Sequence, residues 1–329
     1  MPAVAAIVNQ AVPDGKSINL FYNTEKAQLA VAYKSGAEGD DPDTAAWAAD
    51  ATDYAGHIFN PSSIASDYYR GNQLVVAVTE PKTDCESKPV GNQISLVSPV
   101  YKKLATTSLS NKTFRSQRAL HIAGRNEATL LGIYSFNSQK LTLPFFPDTS
   151  GTTKGQTRLK EYNIDTGNVA TFLQNQDVAL NCSLAAWYDP AGRARMVVYQ
   201  EFEEGHLKGV QRRHQASLLY LACARQLTIS RRNNIAWDID GTGDAKDLTT
   251  VAVSCVNGKT YLYYTDSKNN VRRVIKDKDG WGGPRTVSGL PKVGTSQLTV
   301  AASNGYNHLF YVSVEDTNPG SFQHARDPL

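Results

Sequence analysis

Apolar and polar positions alternate in short runs along this chain, and runs that end in an aromatic residue return about every 47 to 65 residues. Clear copies occupy residues 19–23, 131–135, 196–200, 261–265 and 308–312, with a weaker copy at 73–78. A strand rich in small apolar residues precedes each copy, at 4–8, 63–68, 119–123, 183–187, 250–254 and 297–302. Six such antiparallel units predict an all-β fold, a six-bladed β-propeller, because a ring of sheets hides most strand edges.

The fifth unit shows the pattern most clearly. Asn257 and Gly258 separate two alternating runs, which is the strongest short-range signal for a hairpin. A second turn near Asn269 leads into a third run, and Asp279-Gly280 leads to Trp281. The spacing predicts one propeller domain over residues 1–329. We expect the ring to be closed by pairing of the N- and C-terminal strands in one blade, since an open ring would leave two long edges.

Residues 37–54 depart from the repeat. This stretch is rich in Asp and Ala around Trp47, and its composition allows a short helix within a loop.

Composition narrows the partners and the compartment. The net charge of +3 is small and spread along the chain, which argues against nucleic acid as a partner. No window approaches the length of unbroken apolar sequence that a membrane span needs. The first residues carry neither a basic stretch nor an apolar core of a secretory signal, and the 4 Cys are widely spaced. We therefore expect a cytoplasmic protein with reduced thiols.

Two stretches without gaps, "NLFYNTEKAQLAV" from residue 19 and "YLYYTDSKNNVRR" from residue 261, match a known repeat in length and turn position. The chain resembles the fungal fucose-binding lectins of the Aleuria type, which implies six blades with sugar sites between them. In that family an Arg opens the second strand and a Glu lies in the third. Here the Arg position holds Asn19, Leu131, Met196, Tyr261 and His308, and the Glu position holds Val31, Leu143, Gly209 and Arg273. Leu and Met cannot hydrogen bond to a sugar, so the resemblance implies the scaffold without the fucose site.

Metal and cofactor motifs are weak. Asp238, Asp240 and Asp244 alternate around a glycine as in calcium loops, but without the closing Glu, so a turn between blades is favoured and calcium is left open. The 6 His have no zinc-like spacing, and the chain contains no phosphate or dinucleotide loop. We expect no cofactor and no metal.

Polar and aromatic residues that break the repeat are the candidates for a binding site, because equivalent blades have no packing reason to differ at one position. They predict one asymmetric apolar pocket for a small molecule. The predicted catalytic residues are Arg125, His121 and Tyr68, and the predicted substrate-binding residues are Trp187, Tyr188, Trp237, Tyr69 and His308.

Two functions remain open at this point. The chain resembles the lectin-like hetero-Diels-Alderases of tropolone-sesquiterpene biosynthesis, which implies a cyclase that joins a tropolone-derived quinone methide to a humulene-type terpene. Such a reaction needs apolar partners held in a reactive pose, and a donor at the quinone-methide oxygen. The alternative is a carbohydrate-binding lectin with degenerate or non-fucose sites. The sequence does not decide between a monomer and a homodimer.

Overall fold

The computed structural model describes residues 3–12, 17–24, 26, 28–35, 48–51, 58, 64–69, 72–79, 93–99, 102–106, 120–123, 131–137, 156–163, 169–171, 178–179, 183–189, 194–200, 207–213, 235–247, 249–294, 296–315 and 322–329. These residues form six antiparallel sheets, numbered here in chain order. Apart from one 3₁₀ turn at Thr242–Asp244, the regular elements in these ranges are strands.

Each sheet is built from strands that are consecutive in the chain. Sheet 1 contains β1 (Val4–Val8), β2 (Ser17–Asn23), β3 (Leu29–Ser35) and β4 (Ala48–Ala51). Sheet 2 contains β5 (Ile64–Tyr69), β6 (Asn72–Thr79), β7 (Gln93–Ser98) and β8 (Lys102–Thr106). Sheet 3 contains β9 (Leu120–Ala123), β10 (Leu131–Asn137), β11 (Gln156–Asn163), β12 (Val169–Thr171) and β13 (Val178–Ala179).

The second half of the chain repeats this plan. Sheet 4 contains β14 (Ala185–Asp189), β15 (Ala194–Gln200), β16 (Leu207–Arg213) and β17 (Ile235–Asp238). Sheet 5 contains β18 (Val251–Val256), β19 (Lys259–Thr265), β20 (Val271–Asp277), β21 (Gly280–Trp281) and β22 (Arg285–Thr286). Sheet 6 contains β23 (Thr299–Ser303), β24 (Tyr306–Tyr311) and β25 (Gln323–Pro328). The sequence predicts two strands in each of six units, and all twelve overlap strands of these sheets. The prediction of six units is therefore confirmed.

The first strand of each sheet lies innermost. These strands contact one another in the order β1, β5, β9, β14, β18, β23, and β23 contacts β1. The predicted pairing of N- and C-terminal strands in one blade is not what the described strands show: β1 pairs with β2, and β25 pairs with β24. Sheet 6 has an inner strand of its own, β23, and β1 is the inner strand of sheet 1, so the two sheets meet through the contact between these strands.

Side chains rather than a strand pair join the first and last sheets. Thr299 Oγ1 accepts a hydrogen bond from the backbone N–H of Ala6 at 3.0 Å, and Gln297 bonds the backbones of Val4 and Ile64. Gln297 therefore ties sheet 6 to both sheets 1 and 2.

Turn chemistry in sheet 5 follows the sequence directly. Asn257 and Gly258 have φ values of 51° and 74°, and Asn269 has a φ of 65°. A two-residue hairpin with both central residues at positive φ matches the twist of its strands, and Gly and Asn tolerate that region best. In contrast, the helix considered for residues 37–54 is wrong for its described part, because Ala48–Ala51 pairs with β3 as a strand.

Both faces of a sheet are covered by its neighbours, as sheet 5 illustrates. Leu262 and Tyr264 on β19 pack with sheet 4, whereas the alternate residues Tyr261 and Tyr263 pack with sheet 6. Strand alternation thus sends successive side chains into two different inter-sheet clusters. Tyrosines at the ends of the repeated runs are buried to different degrees: Tyr264 and Tyr311 are fully buried in clusters between sheets, Tyr199 is also fully buried, and Tyr22 is half-buried against the cluster between sheets 6 and 1.

A polar network crosses from sheet 5 to the C-terminal strand. Arg273 donates to both carboxylate oxygens of Asp327, at 2.5 and 2.6 Å. Tyr263 donates to the same carboxylate at 2.5 Å and accepts from Asn307, which accepts from Ser254. Burial, followed by the contact with Asp327, raises the pKa of the Tyr263 hydroxyl far above its ordinary value, so the phenol stays protonated and donates.

Within the described part of the chain, no helical segment has the length and apolar character required to traverse a bilayer.

We predict that Asp327→Ala lowers the free energy of unfolding by about 3 kcal/mol, because it leaves the largely enclosed Arg273 cation without its partner. Urea denaturation measures the change. Asp240→Ala, at an exposed position, is the matched control and should change stability by less than about 0.5 kcal/mol. Equal stability of the two variants would show that the network does not hold sheet 6.

Candidate functional site

A cavity of about 810 Å³ lies at the centre of the ring. Its walls come from the innermost strands of sheets 1, 2, 4, 5 and 6, namely β1, β5, β14, β18 and β23. The small residues that the repeat places on these strands, such as Ala5, Ala65, Ala186 and Ala301, keep the centre open. A volume of this size suits a small-molecule ligand, for which pockets commonly measure roughly 300–1,000 Å³.

Tyr68 is the predicted catalytic residue that the structure places at this cavity. Its side chain is 8% exposed, and its hydroxyl oxygen accepts the backbone N–H of Gln10 at 2.9 Å. The neighbouring Asp67 accepts the backbone N–H of Tyr68 at 2.7 Å. The Tyr68 hydroxyl is held in place because its oxygen accepts this hydrogen bond, and its proton remains available to a ligand.

Trp187 reaches the same cavity from β14. It is 7% exposed and packs in the cluster between sheets 4 and 5. Among the residues that the structure describes, its buried indole Nε1–H has no hydrogen-bond partner. A buried donor without a partner costs free energy, so a ligand acceptor at this point would be favoured.

Cys255, Thr260 and Lys276 line the cavity on the face of sheet 5 that is turned toward sheet 4, and this part of the cavity is called the arm. The three residues are register partners across β18, β19 and β20. Trp281 on β21 continues the row outward as the partner of Lys276. Register partners share one face of a sheet, so the four side chains form a line from the ring centre toward the rim.

Trp237 faces this line from the outer strand of sheet 4. The Lys276 ammonium lies 5.8 Å from the centre of the Trp237 ring, within the range of a cation–π contact. The ring lies across Gly209, where an added Cβ would approach it to 2.5 Å. Gly209 is therefore the residue that allows the indole to lie flat on β16.

The Cys255 thiol is exposed to the cavity. Burial by the surrounding walls is the largest influence on its pKa and raises it; the Thr260 hydroxyl and Lys276 lower it, and Asp189 raises it. The net direction is upward, so the sulfur carries its proton at neutral pH and acts as a weak donor.

His308 lies elsewhere, on β24 in sheet 6. Its Nε2–H donates to the carbonyl oxygen of Ser303 at 3.2 Å, so its Nδ1 accepts from His324 Nε2 at 3.0 Å. The two rings stack at 5.2 Å, and His324 stacks on Phe310 in the contact between sheets 6 and 1. The structure thus gives this predicted substrate-binding residue a place in an inter-sheet contact, away from the central cavity.

Four further predicted site residues have no described side chain. Arg125 lies outside the described residues. His121 is on β9, Tyr69 on β5 and Tyr188 on β14, but their side chains lie outside the described set. The structure therefore brings Tyr68 and Trp187 to one cavity and Trp237 to the outer end of its arm.

Lys276 and Cys255 are the residues that sequence reasoning missed. Both belong to the fifth unit, whose strands the pattern predicts correctly. Counting the hairpin register outward from Asn257-Gly258 would have paired Cys255 with Thr260 and Thr260 with Lys276. The register thus predicts that these residues are neighbours. Lys276 was missed because a lysine in a strand is usually expected to face solvent.

Asp244, the last carboxylate of the loop considered for calcium, binds neighbouring side chains. Asp244 accepts the Tyr264 hydroxyl at 2.5 Å and lies 3.1 Å from Arg272 Nε. Burial and this carboxylate raise the pKa of Tyr264 above its ordinary value. Among the residues that the structure describes, no group of three or more His, Cys, Asp or Glu side chains is placed to hold a metal ion.

Comparison with known proteins gives relatives by sequence and neighbours by fold. No protein-family model matches the chain. It is 26% identical over 341 residues to a protein named wall-associated proteinase from Coccidioides posadasii (strain RMSCC 757 / Silveira), covering 98% of this chain and 95% of the relative. The protein of the same name from Coccidioides immitis (strain RS) is 25% identical over 341 residues, with the same coverage.

Solved structures share the architecture. A fucose-specific lectin from Aleuria aurantia superposes with a TM-score of 0.63 at 11% identity, covering 99% of this chain and 91% of the lectin. A second structure of that lectin, described as a six-bladed β-propeller, gives 0.63 at 10% identity, with coverage of 99% and 96%. The protein AofleA from Arthrobotrys oligospora gives 0.56 at 10% identity, with coverage of 100% and 86%. The fold is that of a six-bladed β-propeller of the Aleuria lectin type.

We predict that Gly209→Ala forces the Trp237 ring off β16, because no rearrangement short of moving the indole removes a 2.5 Å contact. Overpacking of this kind costs about 1–3 kcal/mol. Tryptophan fluorescence should shift toward that of a more solvated indole, and stability should fall. Gly283→Ala is the matched control, since an added Cβ there meets nothing within 4 Å; an unchanged spectrum for Gly209→Ala would contradict the packing described.

Proposed function

We propose that this protein binds carbohydrate, as a lectin-like propeller that does not use the Arg and Glu of fucose recognition. The observation that carries the proposal is the likeness of fold to the Aleuria aurantia fucose-specific lectin over 99% of this chain. A fold alone does not fix a ligand, so the proposal also draws on the side chains that line the cavity and the clefts between sheets.

In sheet 5, the two positions that hold the fucose-binding Arg and Glu in the lectin repeat are occupied by residues with a different role. Tyr261 stands at the Arg position and is buried in the cluster between sheets 5 and 6. Arg273 stands at the Glu position and is bound by Asp327. Both positions support the contact between sheets, which leaves no charge there for sugar hydroxyls. Fucose is therefore not the expected ligand at this cleft.

The arm between sheets 4 and 5 offers the chemistry that sugars need. A pyranose presents hydroxyl groups at its edge and C–H groups on its face, so it binds where an aromatic ring lies beside hydrogen-bonding groups. Trp237 and Trp281 pack beside Lys276 in the contact between sheets 4 and 5, and Lys276 and Thr260 line the cavity with polar atoms. This combination favours the arm over the cleft between sheets 5 and 6.

The sequence relatives support a wall-associated setting, since that is the place their shared name gives. A fungal wall is rich in polysaccharide, which suits a carbohydrate-binding role. The expectation of a cytoplasmic protein is thereby replaced, as a proposal, by one of wall association.

We predict that the purified protein binds a subset of glycans on an array and that free fucose does not compete. Trp237→Ala should weaken binding about tenfold or more, because it removes the aromatic ring that holds the Lys276 ammonium in place. The control is Tyr33→Ala, at an exposed aromatic on sheet 1, which should bind normally. An array without any bound glycan, or competition by fucose alone, would refute the proposal.

A second candidate function is the cyclase, favoured by the central cavity. Its volume of about 810 Å³ could hold a humulene-type terpene beside a quinone methide. Tyr68 could donate its hydroxyl proton to the developing oxyanion, and Trp187 could cover the terpene.

For this second candidate we predict formation of a single stereoisomer from a tropolone-derived quinone methide and humulene, measured by chromatography. Tyr68→Phe should then slow turnover by about tenfold or more, since one positioned donor typically contributes that much. Product identical in rate and stereochemistry to the reaction without protein would exclude the cyclase.

A further inference from the structure

We infer that the arm between sheets 4 and 5 binds a sugar that carries a carboxylate, of the uronate class, with Lys276 as the group that pairs with the acid. This inference rests on the proposed carbohydrate-binding function and names the ligand class for that same site. It goes beyond the neutral fucose that the structural neighbours bind.

The environment of Lys276 is the first observation. The side chain is half-buried and lines the cavity, and its ammonium contacts the Trp237 ring at 5.8 Å. Among the described residues no carboxylate lies within ion-pair distance of it. A partly desolvated ammonium without an anion is costly, so an anionic ligand group at this point would be stabilised.

Hydrogen-bond donors in the contact between sheets 4 and 5 are the second observation. Among the described residues, the Nε1–H groups of Trp187 and Trp281 are buried and have no hydrogen-bond partner, and Trp187 is more than nine-tenths buried. An indole nitrogen is a donor only. The Cys255 thiol at the inner end of the arm also keeps its proton, because burial raises its pKa. Several donors around one site match a ligand rich in acceptor oxygens.

The acidic groups of the cavity already have partners of their own. Asp67 accepts the backbone N–H of Tyr68, and Asp277 accepts that of Asp279. Asp189, the third carboxylate on the cavity wall, is also engaged. Among the described residues, none of these carboxylates forms an ion pair with Lys276.

The aromatic rings distinguish a sugar acid from a simple acid. Trp237 lies flat across Gly209 with the Lys276 ammonium over its face, and Trp281 stands next to Lys276 in register. A ligand whose carboxylate pairs with Lys276 would have its remaining atoms beside these two indoles. A uronate provides both parts, since its ring face is apolar and its acid is attached directly to the ring.

Titration with glucuronate and glucose tests this inference, because the two sugars differ only at the acid. Ligand-observed NMR on the full chain should show glucuronate binding about tenfold or more tightly than glucose, as expected for a charge-assisted contact. The preference should diminish as salt concentration rises. Thermal unfolding of each variant, measured in parallel, confirms that it is folded.

Three variants locate the contact. Lys276→Met keeps the methylene chain on Trp237 but removes the charge, and it should abolish the preference for glucuronate. Trp187→Phe removes one donor and keeps the ring, and it should weaken glucuronate binding severalfold. Lys259→Met, at an exposed lysine of the same sheet outside the cavity, should leave the preference unchanged.

The outcomes separate the inference from the function on which it rests. Binding of neutral glycans without a preference for glucuronate, or a preference that survives Lys276→Met, would overturn the inference alone. Absence of binding to every sugar tested would overturn both. Equal binding of acetate and glucuronate would show an anion site without sugar recognition, which also contradicts the inference.

Discussion

Face-to-face packing of neighbouring sheets is the constraint on which the rest of this structure depends. Sheet 5 has two apolar faces, so it needs a neighbour on both sides, and the ring of six contacting inner strands gives it sheet 4 on one face and sheet 6 on the other. Val274 on β20 packs with sheet 4, whereas Val271, three residues earlier on the same strand, packs with sheet 6. Small residues on the inner strands follow from the same constraint, because large ones would fill the centre. The central cavity is thus a consequence of how the sheets pack, and function depends on the side chains that happen to line it.

The polar groups between sheets divide into those that hold the ring together and those that do not. Arg273 and Asp327 fix the C-terminal strand to sheet 5, and Asp244 joins the loop before sheet 5 to Tyr264 on β19. These charges have their partners within the fold. Lys276 differs, since its ammonium contacts the aromatic face of Trp237 and, among the described residues, has no ion-pair partner. The charged side chain between sheets 5 and 6, Arg273, is therefore engaged by Asp327. The charged side chain between sheets 4 and 5, Lys276, has no ion-pair partner among the described residues.

Much of the fold was predictable from sequence, and less of the site. The strand pairs, the turn at Asn257-Gly258 and the burial of Tyr199 and Tyr264 follow from alternation and turn chemistry, which are local properties. The site depends on which sheet faces which, and on the register of outer strands, and these are long-range properties. Tyr68 and Trp187 were identified because they break the repeat. Lys276 was missed because its importance comes from Trp237 on another sheet.

The central claim is that carbohydrate binds between sheets 4 and 5, at a propeller cleft that lacks the fucose grip. A crystal structure of the protein soaked with its best-binding glycan measures this most directly. The predicted result is sugar density in the arm, with the sugar ring beside Trp281 and polar groups within hydrogen-bond distance of Lys276. Sugar density between sheets 5 and 6 that displaces Asp327 from Arg273, or an arm that stays empty at saturating glycan, would contradict the claim.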